Sequence, residues 1–168
     1  MKKFIYLIAF CGLLLTNCDD LEVTDRANLP EELILGSTDG YDALLRAAYE
    51  SVNDFNYYGQ NMMIGPEILA DNMDLINQNG RFEDEFVNAV NSGIEIWRLR
   101  YNAINECNII IETIDNESEE GDAATKTSIK AQAFFLRALF YHDLARSYGY
   151  EPGQEVNGFK LAVPLKLN

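Results

Sequence analysis

The sequence predicts an all-α protein, and three stretches carry that expectation. Residues 131–149 form its longest helix-compatible apolar run, in which only Gln132 and Arg137 interrupt apolar or aromatic residues between Ala131 and Tyr141. A helix there presents apolar surface almost all the way round, which belongs in the middle of a layer rather than at its edge. Trp97, Tyr101, Ile104, Asn108, Ile111 and Ile114 recur at steps of three and four and mark one face of a second helix. Tyr41, Leu44, Leu45, Ala48 and Val52 give a third stripe of the same period.

Taken in order, the chain opens on an export signal. Lys2 and Lys3 supply the charged start and an apolar run from Phe4 to Leu15 follows. That run is short of the roughly 20 residues needed to span a bilayer. It meets Leu15, Thr16, Asn17 and Cys18, which resemble the lipobox of bacterial lipoproteins, with Asn17 where a small residue is usual. Residues 1–17 are then a lipoprotein signal peptide, Cys18 is the lipid-attachment residue, and its acyl chains hold the protein on a membrane. Residues 18–36 read as a tether and an extended segment leading into the fold. Asp19, Asp20 and Glu22 resemble the acidic surface-export signal of Bacteroidetes-type lipoproteins.

The first mature helix starts at Ser37 or Thr38 as N-cap, carries Asp39 in its first turn and ends near Val52. A short second helix is expected over 63–74, with Pro66 near its first turn and Ile68 and Leu69 facing in. Between the two lies an aromatic and amide loop, from Phe55 through Tyr57 and Tyr58 to Gln60 and Asn61. Flat rings stack on the C–H face of a sugar while amides bind its hydroxyls, so Tyr57, Tyr58 and Asn61 are the candidate ligand-binding residues. The plainer alternative is that these aromatics close a helical corner.

The polar run 77–80 does not fit a calcium loop. With Gly80 at the sixth position, Leu75 and Phe86 fall at the first and twelfth, where carboxylates are required. A turn is expected there, then a helix from Arg81 to about residue 91, broken by Asn91, Ser92 and Gly93. On the next helix Asn108 is the one strongly polar member of the apolar face, and it needs a partner such as a neighbouring helix backbone. Cys107 reads as a small core filler. An acidic loop over 115–121 follows, and Asp122 or Thr125 caps the last helix. Its end is marked by Arg146 in the final turn, Gly149 at the position that favours left-handed backbone, and Pro152 beyond. Arg137, the lone charge in the apolar run, must reach the layer's edge or pair with a carboxylate, for which Glu67 and Asp71 are the candidates.

Composition narrows the function. With 168 residues, 48% apolar, the chain can bury one core and needs no second domain. A net charge of −14 excludes nucleic acid, whose phosphates require clustered Lys and Arg. Three cysteines, one of them Cys11 inside the signal, are too few and too dispersed for a disulfide framework or a zinc site. His142 is the single histidine, and Asp143 beside it points to a different helical face. Glu83, Asp84 and Glu85 lie together on a polar helix face and read as solvated rather than as a glycosidase pair. No nucleophile motif or phosphate loop is present. The chain reads as a non-enzyme without cofactor or metal, ahead of an exported glycosidase.

The series W-x3-Y-x2-I-x3-N at Trp97, Tyr101, Ile104 and Asn108, the A-x-A-x-F-L-R-A segment from Ala131 to Ala138, Tyr148 with Gly149, and V-P-L at Val163 to Leu165 together resemble the N-terminal part of SusD/RagB proteins. Gln132 stands where that family usually has Glu. The resemblance implies a tetratricopeptide-like layer of antiparallel helix pairs over 37–168. It also implies a surface lipoprotein of the outer membrane that binds an oligosaccharide or other nutrient beside a TonB-dependent, SusC-like transporter. Family members continue beyond the V-P-L segment, so this is expected to be an incomplete, truncated SusD N-terminal layer in which transporter contact outlasts nutrient binding. The alternative on the same helices is a helical-repeat lipoprotein serving as a protein–protein scaffold.

Overall fold

The computed structural model describes residues 35–76, 79–89, 95–115 and 121–167, all within the unit Glu31–Asn168. The signal segment, Cys18 and the tether up to residue 34 lie outside the described residues, as do 77 and 78 of the polar run. Among the described residues the regular structure is helical, apart from one isolated bridge between Val156 and Phe159. None of the described helices is long and apolar enough to cross a membrane.

Helix α1 (Thr38–Val52) starts where its cap requires. Ser37 has extended backbone and its hydroxyl accepts the Gly40 N–H at 3.2 Å, while Asp39 meets the positive end of the dipole. Tyr41, Leu45 and Ala48 are buried from its stripe. Helix α2 (Asn61–Leu69) begins two residues earlier than expected and ends well before residue 74. The cause is backbone: Asp71 takes φ +58°, and its N–H turns back to the Ile68 carbonyl. Helix α3 (Glu83–Phe86) is a single turn rather than a helix to residue 91, because Phe82 and Asn88 on either side are both left-handed.

Helices α4 (Trp97–Thr113) and α5 (Ala123–Tyr148) make the body of the layer with α1. Asp122 caps α5, accepting from the N–H groups of Ala124 at 2.9 Å and Thr125 at 3.0 Å, so Thr125 is capped rather than capping. Cross-contacts give the directions. Asp115 meets Lys130, Asn108 meets Arg137, Tyr101 meets Tyr141, and Trp97 meets Tyr148, so α4 and α5 run antiparallel. Tyr41 bonds Thr113 and Ser51 bonds Arg100, so α1 and α4 are antiparallel as well. This is the all-α arrangement of antiparallel pairs that the sequence predicts.

Three expectations are corrected by packing. The buried arc of α4 and its caps is Ile96, Arg100, Ala103, Ile104, Cys107, Asn108, Ile110 and Ile114, which keeps Ile104, Asn108 and Ile114 of the predicted stripe but is rotated from it so that Trp97 is 38% exposed. Because α4 has both α1 and α5 as neighbours, its covered arc is wider than one stripe and is centred between them. Helix α5 is covered only in part: Leu136, Phe140 and Leu144 are buried, whereas Phe134 and Phe135 are 45% and 63% exposed. Gly149 is extended (φ −85°, ψ 165°), not left-handed. A Cβ there would stand 2.6 Å from the Ala145 carbonyl oxygen, so close approach, not backbone sign, demands glycine.

Beyond α5 the chain folds back on itself. Tyr150 donates to the Leu161 carbonyl, and left-handed Asn157 and Gly158 close the turn between Val156 and Phe159. The last described residues then cross α4 and α5 as a strap. Tyr101 Oη donates to the Pro164 carbonyl at 2.7 Å, Asn108 Nδ2 to the Lys166 carbonyl at 3.0 Å, and Tyr141 Oη bonds Lys166 at 2.6 Å. Asn108 therefore finds its backbone partner on this strap rather than on a helix. Its Oδ1 accepts from Arg137 at 2.9 Å. Arg137 thus reaches an amide, not a carboxylate, with its guanidinium also over the Phe134 ring. Glu67 instead accepts from Asn72, and Asp71 is exposed.

Candidate functional site

The α1–α2 loop is built by its own backbone. Asp54 accepts the N–H groups of Tyr57 and Gly59 through its carbonyl and that of Asn56 through its side chain, a local turn that Asx residues favour. Gly59 is required by space, since a Cβ would lie 2.5 Å from the Asn53 carbonyl oxygen. This tight turn leaves Phe55 and Asn56 exposed and buries Tyr57.

Tyr57 goes inward and is fully buried. Its hydroxyl donates to Asp143 Oδ2 at 2.5 Å, and its ring lies 6.2 Å from that of Phe140. Tyr58 is half-buried at the rim, tilted against Tyr57 with centroids 4.5 Å apart, and donates to the same Oδ2 at 2.8 Å. Asn61 opens α2, donates from Nδ2 to Asn56 Oδ1 at 3.0 Å, and holds its own Oδ1 buried without a partner. Of the three candidates, Tyr58 and Asn61 are each half-buried, whereas Tyr57 has no face to offer a ligand. Phe55 is the ring that faces out, 54% exposed, with the Arg81 guanidinium 5.2 Å from its centroid and Arg81 bonded to Gln60.

Beneath the loop sit two buried charged side chains that sequence reasoning missed. Arg100 is 1% exposed; it donates from Nη1 to the Ser51 carbonyl at 2.8 Å and lies 4.0 Å over the Tyr57 ring. Burial lowers its pKa from the ordinary arginine value. Asp143 is fully buried with both tyrosine hydroxyls on one oxygen, while His142 Nδ1 at 3.3 Å and Arg146 at 3.6 Å face the other. Burial first, then the Asp143 hydrogen bond and charge, push the Tyr57 and Tyr58 hydroxyls up, which keeps both as donors. A signal for Arg100 existed: Ile96, Arg100, Ala103, Cys107 and Ile110 share one helical arc, and arginine is its one charge. Cys107, in the same arc, has its thiol pushed up to about 12 by burial, which suits a core filler and not a reactive group.

The loop thus presents one ring, half of another and several amides outward, over a core anchor of Tyr57, Asp143 and Arg100. Over residues 21–166 the chain matches the SusD-like family described as starch-binding and associating with the outer membrane, and it belongs to that family. A curated relative, "SusD-like protein P2" of Formosa agariphila, is 29% identical over 161 residues, which cover 90% of this chain and 31% of the relative. The chain therefore spans about a third of that relative's length. No solved structure matches it significantly.

Proposed function

We propose that this chain belongs to a surface-exposed outer-membrane lipoprotein that binds a glycan nutrient for uptake with a TonB-dependent, SusC-like transporter, anchored through lipid on Cys18. The observation that carries this reading is the family match over residues 21–166. The aromatic and amide loop supports it. Phe55 and Tyr58 supply ring surface at the rim and Asn61 supplies an amide, with Tyr57 holding the loop from beneath. A stacked ring and a few hydroxyl contacts give weak binding, because association entropy consumes most of what one small contact contributes. The role is binding, with no bond made or broken by the chain.

The test is calorimetry of the purified chain against a panel of neutral oligosaccharides, repeated with Phe55→Ala and Tyr58→Ala. Millimolar affinity lost in these variants supports the loop, and micromolar binding that survives both places the site elsewhere. Co-purification from outer membranes after cross-linking tests the transporter. The scaffold reading is favoured by one observation, the open Phe134 and Phe135 face of α5. Partner capture that is lost in Phe135→Asp while every oligosaccharide stays unbound would select it.

A further inference from the structure

The end of α5 and the folded-back segment 150–162 line a cleft of about 540 Å³. Its volume is in the range of small-molecule sites, roughly 300–1,000 Å³. Ala145, Pro152 and Leu161 give it an apolar wall, and the half-buried Tyr150 ring lies among them. Neither of its permanent cations is free: Arg146 is ion-paired with buried Asp143 at 3.6 Å and Lys160 with Glu155 at 3.7 Å. His142 meets the same Asp143 oxygen at 3.3 Å.

Tyr150, Glu151 and Gln154 are the lining residues whose side-chain polar atoms stay uncommitted. Among the described residues every other tyrosine hydroxyl has a hydrogen-bond partner, and that of Tyr150 has none. Its backbone N–H bonds the Leu161 carbonyl at 2.9 Å, so the residue is held at the cleft without spending its hydroxyl. Glu151 is an exposed carboxylate with no ion pair among the described residues. Together they offer a ring face, an acceptor-only carboxylate and an amide that both donates and accepts. A ligand acid would meet Glu151 with no unpaired cation to offset it, and a ligand cation would find one exposed carboxylate, a pairing worth little in water.

We propose that this cleft is a glycan subsite for an uncharged pyranose residue, with the sugar's C–H face on the Tyr150 ring and its hydroxyls donating to Glu151 and exchanging hydrogen bonds with Gln154. The aromatic and apolar wall selects a ring with an unbroken C–H face, and the ionised Glu151 selects hydroxyl donors over acids. The proposal rests on the reading of the chain as a glycan binder and gives that reading a second place, separate from the Phe55 rim, with a stated class of ligand.

The test is a two-dimensional amide NMR titration of the purified chain, in which Gly149 and Gly153 report the cleft and Gly59 reports the α1–α2 loop. Maltotriose should move the Gly149 and Gly153 signals, trigalacturonate should bind there at least about tenfold more weakly, and the cationic glucosamine trimer should bind no tighter than maltotriose. Tyr150→Ala and Glu151→Gln should each weaken maltotriose at these signals by about tenfold, the scale of one good contact, and Tyr150→Phe, which keeps the ring, by less. Circular dichroism melts check folding, and if Tyr150→Ala lowers the melt, Tyr150→Phe and Glu151→Gln, which keep the side-chain shape, decide. Phe55→Ala should leave the cleft signals responsive. Maltotriose shifts confined to Gly59, equal affinity for the acidic and neutral trimers, tighter binding of the glucosamine trimer, or cleft shifts undiminished in Glu151→Gln each overturn this proposal and leave the glycan reading standing. Absence of shifts with every saccharide overturns both.

Discussion

Asp143 shows how one buried side chain can organise a surface it never reaches. It is fully buried on α5, yet two hydroxyls from the α1–α2 loop end on its Oδ2, so the loop's conformation is written partly in a helix 86 residues away. Tyr57→Phe keeps the ring that Arg100 packs on and removes one donor to that carboxylate. It should cost about 1.5–3 kcal/mol in urea unfolding, the range for a hydrogen bond to a charged group. A loss under about 0.5 kcal/mol would mean that Tyr58 alone satisfies Asp143. Glu106 on α4 is the opposite case, a carboxyl with Oε2 buried and unpartnered, and burial raises its pKa above the usual glutamate value. A raised carboxyl pKa means the folded state holds its proton more tightly, so this group costs stability once pH rises above the ordinary glutamate range. Glu106→Gln should therefore raise the melting temperature at pH 7–8, and the gain should vanish near pH 4. A gain independent of pH would show that ionisation is not its source.

At the scale of elements, the ends decide more than the middles. Ser37 and Asp122 start α1 and α5 by accepting orphan N–H groups, and both were readable as caps because those residue types compete for that position. The stop of α5 was readable at Gly149, but not its cause. Its N–H bonds the Ala145 carbonyl at 2.9 Å while the chain turns sharply into the Tyr150–Leu161 pairing. Gly149→Ala should lower the thermal midpoint, because a methyl 2.6 Å from a backbone oxygen forces the turn to shift. A midpoint at or above that of the parent chain would show that the helix end yields freely. The strap across α4 and α5 belongs to this scale too. Asn108, Tyr101 and Tyr141 sit at apolar-stripe positions yet each spends a polar atom on the strap's backbone, which is why they tolerate the layer's edge.

For the molecule as a whole, anchoring is the first consequence of the proposed function. If the apolar leader ends in a lipobox, Cys18 carries acyl chains and the protein fractionates with outer membrane. Cells fed a clickable palmitate analogue should label the parent chain and not Cys18→Ser, and the variant should leave the membrane fraction. Equal labelling of the two would dismiss the lipid anchor. The open arc of α5 also belongs here, since Phe134 and Phe135 are exposed on a helix that buries Ile129, Ala133, Leu136, Phe140 and Leu144. That arc explains why the run over 131–149 looked fit for the middle of a layer: its composition records more apolar surface than α1 and α4 cover.

By itself the sequence determined the all-α class, both main caps, the three long helices and the family, because helical periodicity and capping chemistry are local and short motifs keep their spacing. It also placed the aromatic loop between α1 and α2. Tertiary structure decided which side of that loop faces water, burying Tyr57 and exposing Phe55 two residues away, because a turn held by Asp54 has no period from which direction can be read. It decided the arc of α4 as well, since a helix with two neighbours buries the sector between them rather than its most apolar stripe. Only three-dimensional packing could join Arg100, Tyr57 and Asp143, which lie on different elements. The physical reason is the same in each case: a long-range contact depends on what the partner element presents, and no local pattern carries that information.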